Sequence, residues 1–173
     1  MIVWLNGTFG AGKTTTAGEL VQVLPQARLF DAEQVGYMLG HVPDLPDLGN
    51  FQHWPPWRHL VVETASQLLD YVGGTLVVTQ TVLVEQYWEE IRSGLDRAGI
   101  PVHHFVLHSD PETMERRIKS DAEHAARNRD WRLAHLADYR EALPWLRRSA
   151  QFVDTARIDA REAARVVAAS VGE

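Results

Sequence analysis

The stretch IVWLNGTFGAGKTTTAGEL, residues 2–20, decides the fold. It opens as a short apolar run with the character of a buried strand. It then passes into Gly7-Thr8-Phe9-Gly10-Ala11-Gly12-Lys13-Thr14, the spacing G-x-x-x-x-G-K-T. A phosphate chain needs several donors converging on it, and successive backbone N–H groups of a tight loop supply them. Glycines at 7, 10 and 12 permit dihedrals and close approaches that a side chain forbids. Lys13 would set its ammonium against the β- and γ-phosphates, and the hydroxyl of Thr14 would ligate Mg²⁺. The segment from residue 13 to 24 reads as a helix that Pro25 ends, and its N-terminal dipole end favours an anion. Strand, loop, Lys-Thr and helix in this order predict a triphosphate-binding loop made by residues 10–15: Gly10, Ala11, Gly12, Lys13, Thr14 and Thr15.

The rest of the chain is consistent with one domain spanning residues 1–173. That length buries a substantial core. With 45% hydrophobic and 23% charged residues and no evident repeat, the composition is that of a globular protein. A net charge of −6 argues against a general nucleic-acid binder, which carries a basic surplus. The chain has no cysteine, which excludes a disulfide framework, thiol chemistry and a Cys-based zinc site. No signal peptide is expected, and no apolar run approaches the ~20 residues of a spanning helix, so the expected location is cytoplasmic. The expected assembly is a monomer or a homodimer.

Beyond the loop, strands alternate with helices. Strands are expected at 27–31 (ARLFD), 75–84 (TLVVTQTVLV), 102–108 (VHHFVLH) and 151–155 (QFVDT). Helices are expected at 32–39, 57–72, 85–98 and 159–171, with Asp159 as N-cap of the last. Residues 111–146 read as mostly helical around a polar break at 123–130. Ser109 is read as the cap of that segment, with Glu112 completing a capping box. Alternation of this kind implies a parallel sheet covered by helices on both faces, a compact α/β domain. The proline-rich residues 40–57 read as irregular. They open a substrate-binding insertion at about 40–72, and a lid is expected at about 117–132.

Phosphoryl transfer depends on positioning and charge neutralisation. Two features supply both. Asp31 and Glu33 follow the second strand, at the carboxyl edge of the sheet beside the glycine loop. A carboxylate there can take a proton from a substrate hydroxyl or hold water on Mg²⁺; equally, Asp31 can cap the following helix. Arg116, Arg117, Arg127, Arg129 and Arg132 flank the polar break. They suit bidentate phosphate contact from a closing lid, or form a solvated helix face paired with Asp121, Glu123 and Asp130. His103 and His104 are neighbours in a strand, point to opposite faces and cannot share an ion.

The chain resembles small P-loop kinases of the nucleoside-monophosphate-kinase type, which include shikimate, gluconate and chloramphenicol kinases. Within that group it is most similar to tunicamycin resistance proteins. The resemblance is carried by residues 2–20 together with LFDAEQVGYML (29–39), HFVLHSDPETMERRI (104–118) and RDWRLAHLADY (129–139), and it spans nearly the whole chain. It implies a three-layer P-loop NTPase fold with a five-stranded parallel sheet in the order 2-3-1-4-5, a helical lid, and ATP with Mg²⁺ on the first loop. It also implies Arg117 near the nucleotide, lid arginines at Arg127 and Arg129 and less directly at Arg132, and a base or substrate contact at Asp31. One departure stands out. Many P-loop proteins carry an Mg²⁺-orienting aspartate after the third strand, where this chain has Gln80, leaving Mg²⁺ to Thr14 and Asp31.

The segment NFQHWPPWRHL, residues 50–60, lies where such relatives bind their acceptor. Trp54 and Trp57 either stack on a nucleobase or sugar or staple the loop to the body, and Arg58 would hold a phosphate or carboxylate. Tyr87, Trp88 and Arg92 are candidates for the same cleft, as is Gln80. The resulting expectation is a kinase that takes ATP and a small-molecule acceptor, such as a nucleoside antibiotic, with Lys13, Asp31, Arg127 and Arg129 as catalytic groups. The alternative is an ATP-binding protein that sequesters such a ligand without phosphorylating it. A GTPase switch is disfavoured by the absence of an N-K-x-D guanine-reading motif.

Overall fold

The structure, a computed structural model, describes residues 1–120 and 129–172. Strand β1 (Ile2–Asn6) is buried along its whole length and occupies the centre of the sheet. It pairs in parallel with β3 (Thr75–Thr79) on one side and β4 (Val102–His108) on the other, and β2 (Ala27–Phe30) and β5 (Gln151–Asp154) form the edges. The order is β2-β3-β1-β4-β5, the order that the resemblance implied.

Period-two alternation on β1 sorts the core into two halves. Ile2 and Trp4 face one side, where α3 (Pro55–Val72), α4 (Glu85–Arg97) and α6 (Arg129–Ser149) contribute Trp57, Val61, Trp88, Ile91, Trp145 and Leu146. Val3 and Leu5 face the other, against Ala17 and Leu20 of α1 (Lys13–Val23) and Ala163, Ala164 and Val167 of α7 (Ala160–Val171). Small residues on α7 let it lie close to α1 and the sheet. The remaining helices are α2 (Glu33–Leu39), which follows β2, and α5 (Pro111–Ser120), which follows β4. Among the described residues, no helix is long and apolar enough to cross a membrane.

Several local expectations are corrected. Strand β3 stops at Thr79, because residues after it turn to fasten the glycine loop. Helix α3 starts earlier than its apolar spacing suggested, with prolines in its first turn, where their missing N–H groups cost nothing. A single 3₁₀ turn, Phe51–His53, interrupts the irregular loop. The cap of α5 is Asp110, whose Oδ1 accepts from the Thr113 N–H at 2.8 Å. Ser109 is buried instead, and its Oγ has no partner among the described residues. Pro111 at the first helical position points to the residue just before it as the cap. Asp159 does cap α7, accepting from the Glu162 N–H at 2.8 Å.

Candidate active site

The carboxyl ends of the central strands converge on the glycine loop, and buried side chains fix that convergence. Asn6 ends β1 fully buried. Its Oδ1 accepts from the N–H groups of Gly7 at 2.8 Å and Val82 at 2.9 Å, while Nδ2 donates to the Val82 carbonyl at 2.9 Å. Thr81 Oγ1 donates to the Gly7 carbonyl at 2.7 Å. The start of the loop is therefore tied to the segment after β3 by side chains on both partners. His104 completes this packing. It stacks on Trp88 with ring centroids 3.8 Å apart, Nδ1 donates to the Ser149 carbonyl, and Nε2 lies 3.3 Å from Asn6 Nδ2. Burial holds its imidazole neutral, with the pKa lowered to about 4.

Gly7 and Gly10 have φ of 125° and 76°, and both press against neighbouring backbone. A Cβ at Gly7 would lie 2.4 Å from the Leu107 carbonyl oxygen, and one at Gly10 would lie 2.7 Å from that of Met114. These contacts seat the loop on the β4–α5 corner. The opposite side of the loop ends at α1, which begins at Lys13 without a side-chain cap. Its first N–H groups and its dipole are left for an anion. Lys13 Nζ donates to the carbonyls of Gly7 at 2.8 Å and Thr8 at 3.0 Å. Thr14 and Thr15 are exposed at the helix start.

Three charged groups from separate elements act on one another here electrostatically. Desolvation lowers the Lys13 ammonium to about 8; the Glu33 carboxylate opposes that shift and the Arg132 guanidinium adds to it. Glu33, half-buried in the first turn of α2, is raised above the ordinary carboxylate range. Burial is the main cause, the Asp31 charge adds to it, and Lys13 and Arg132 oppose it. Tyr37 reaches Glu33 Oε2 at 3.5 Å. Asp31 is exposed and has both oxygens engaged: Oδ1 accepts from the Glu33 N–H at 3.0 Å and Oδ2 from Gln34 Nε2 at 2.9 Å. Asp31 thus fastens the start of α2 from the position before the N-cap, Ala32, which makes no side-chain capping bond.

On the other flank, Arg117 joins the loop to the end of β5. It donates to the Gly10 carbonyl at 3.2 Å and to the Thr155 carbonyl at 2.8 Å. Buried Thr155 in turn reaches the Ala11 carbonyl at 3.0 Å. Of the arginines around the polar break, Arg129 is exposed at the first turn of α6, and Arg132 lies over the Phe9 ring at 5.0 Å. Arg127 lies outside the described residues, as does most of the polar break.

The acceptor-side expectations fare less evenly. Trp57 is fully buried, and its indole donates to the Ala32 carbonyl at 3.0 Å, so it is core and offers no face for stacking. Arg58 is also buried. It pairs with Glu90, donates to the Gln52 carbonyl and lies 4.2 Å from the Tyr87 ring centroid. It ties α3 to α4 and to the 3₁₀ turn and presents no guanidinium to a ligand. Trp88 is core. Arg92 lies on the exposed side of α4, with Nε 3.6 Å from Asp96. Trp54 stays half-buried and staples the loop through a 2.8 Å bond to the Pro46 carbonyl. Gln80 is buried: Nε2 donates to the Thr81 carbonyl at 3.2 Å, and Oε1 has no partner among the described residues.

Sequence reading passed over Asn6, Thr81, Thr155 and the ring of Phe9. A polar Asn closing an otherwise apolar strand was the available signal for the first. The others carry none, because their roles depend on contacts between distant elements.

The sequence model of the AAA domain family matches residues 2–146. No curated protein matches the chain. Among solved structures, the chain is similar to the tunicamycin resistance protein of Deinococcus radiodurans, at 27% identity and a TM-score of 0.78, covering 99% of this chain and 95% of that one. A gluconokinase from Sinorhizobium meliloti 1021 superposes at 16% identity and a TM-score of 0.67, over 98% and 90% of the two chains. A shikimate kinase from Acinetobacter baumannii, solved with shikimate, does so at 19% identity and 0.65, over 98% and 92%. The last two establish the fold alone.

Proposed function

The chain belongs to the AAA domain family, and from that premise we propose that it is an ATP-dependent phosphotransferase acting on a hydroxyl of a small molecule. The acceptor class is a nucleoside-type antibiotic such as tunicamycin, or a related metabolite. That choice rests on the end-to-end similarity to a tunicamycin resistance protein. The observation that carries the reaction class is a glycine loop running into an uncapped helix start at Lys13, with Lys13 and Arg132 5.7 and 5.0 Å from the same Phe9 ring.

The backbone of residues 10–15 and the dipole of α1 hold the phosphates. Lys13 leaves the Gly7 and Thr8 carbonyls to neutralise the phosphate oxygens, and Arg132 and Arg129 add positive charge from α6. Mg²⁺, when bound, supplies further charge neutralisation. The exposed Thr14 hydroxyl would share it with the phosphates, in keeping with an ion that keeps several waters. Among the described residues, no group of three His, Asp or Glu side chains could hold an ion by itself. Arg117 holds the loop against β5 on the nucleotide side.

Glu33, rather than Asp31, receives the acceptor's proton. Asp31 spends both oxygens on α2 and so orients Glu33, whereas burial moves Glu33 toward working pH, where a base is most effective. Paired variants test this. Glu33→Gln should lower turnover by about 10²–10⁴-fold and Asp31→Asn by far less. The reverse order would return the base to Asp31. Lys13→Ala should abolish ATP turnover; normal turnover by that variant would remove the basis of the mechanism.

A second reading, ATP-dependent sequestration without transfer, draws on Gln80. A neutral amide stands where a carboxylate would orient Mg²⁺. Tight binding of an acceptor that is recovered unchanged would favour it.

A further inference from the structure

Phosphate binding by the glycine loop uses backbone N–H groups, so nothing in that chemistry asks for a large ring at its tip. Phe9 is such a ring, and it is half-buried against the first turns of α6. Its centroid lies 5.1 Å from that of Trp131 and 5.7 Å from that of His135. Trp131 and His135 are one helical turn apart and therefore share a face. Their rings are 3.9 Å apart, and His135 Nδ1 donates to the Trp131 carbonyl at 2.8 Å, which fixes the imidazole.

Two cations also approach Phe9. The Arg132 guanidinium carbon is 5.0 Å from the ring centroid and Lys13 Nζ is 5.7 Å from it. Two positive charges brought together repel, and the effect of Arg132 on Lys13 records that repulsion. The electron-rich ring face and the Glu33 carboxylate offset it. Arg132 follows Trp131 directly in sequence, so whatever docks Trp131 on the loop also fixes where Arg132 stands.

We propose that Phe9 is a positioning residue: its ring seats the start of α6 on the glycine loop and holds Arg132 beside Lys13, at the terminal-phosphate end of the site. This rests on the triphosphate-binding reading given above. Phe9 acts through Arg132 and touches no reacting atom.

Calorimetric titration of the full chain with a non-hydrolysable ATP analogue and with ADP tests it. Phe9→Ala should weaken the analogue by about five- to tenfold, the size of a partly desolvated cation–π contact with its aromatic neighbours, and leave ADP within about twofold. Phe9→Tyr should restore the affinity. Phe9→Leu, which keeps bulk without the ring, should not, and serves if Phe9→Ala melts early. Arg132→Ala should match Phe9→Ala, and the double variant should lose no more than either alone. Equal losses for ADP and the analogue, additive losses in the double variant, or full rescue by leucine would overturn the proposal. So would a nucleotide-free protein with no nuclear Overhauser contact between the Phe9 ring and Trp131 indole protons, because that contact needs no ligand. A wild-type chain that binds neither nucleotide would refute the functional reading, and the phosphate role of Arg132 with it, whatever the variants do.

Discussion

Arg58 was expected to meet a ligand, and the structure gives it a different task whose magnitude can be worked out. Its side chain is 6% exposed and its partner Glu90 is 30% exposed. It also donates to the Gln52 carbonyl and faces the Tyr87 ring. Removing one member of a fully buried ion pair costs about 3–5 kcal/mol, because the other charge is stranded. Water still reaches Glu90, which lowers the expected cost of Arg58→Met to about 2–3 kcal/mol. In a domain of this size each kcal/mol moves the melting temperature by about 2–4 °C, so the variant should melt about 4–12 °C below wild type. Thermal unfolding followed by circular dichroism reads this directly. Replacing Glu90 as well, in Arg58→Met with Glu90→Met, should recover part of the loss, since no charge is then stranded. Nucleotide affinity measured well below the transition should be unchanged. An Arg58→Met protein that melts with wild type but loses ligand would refute the structural assignment and return Arg58 to the binding site.

Other consequences are equally specific. Gly7→Ala places a Cβ 2.4 Å from the Leu107 carbonyl at a φ of 125°, and should destabilise by about 2 kcal/mol or more; Gly49→Ala, at positive φ in open space, should cost about 1 kcal/mol in the same denaturant titration. His104 is neutral in the folded chain with its pKa at about 4, below the ordinary 6.5, so between those values the unfolded chain binds the extra proton. Stability should therefore fall as pH drops from about 6.5 toward 4, by on the order of 3 kcal/mol, and His104→Gln should flatten that slope. Thr155→Val removes the hydroxyl between the Ala11 carbonyl and Arg117, and should cost about 1–2 kcal/mol of stability and weaken nucleotide binding; an unchanged melt would show that Arg117 holds the loop alone.

The elements that announced themselves in sequence did so through local rules. The glycine loop needed only its spacing and its flanking strand and helix. The start of β3 followed from its β-branched residues, and α7 from its Asp cap. What stayed hidden depended on tertiary partners. Trp57 and Arg58 sit in a stretch whose composition suits either a ligand cleft or a stapled loop, and only burial against Ala32 and Glu90 distinguishes the two. β3 looked longer than it is because Val82 and Leu83 keep strand-like composition. There the chain leaves the sheet to meet Asn6, which no propensity encodes. Asp31 and Glu33 are both carboxylates past the second strand, and the sequence pointed to Asp31 as the base. They separate once both Asp31 oxygens are bonded at the start of α2, while Glu33 is half-buried within the field of Lys13.

The account stands most directly on whether a phosphoryl group moves. Protein, Mg-ATP and tunicamycin incubated together and analysed by mass spectrometry should yield the antibiotic heavier by one phosphate, with ADP formed in equal amount. The product should be absent with Lys13→Ala and strongly reduced with Glu33→Gln. Tunicamycin retained tightly by the protein but recovered at its original mass, with ATP intact, would contradict phosphotransfer and leave sequestration as the function.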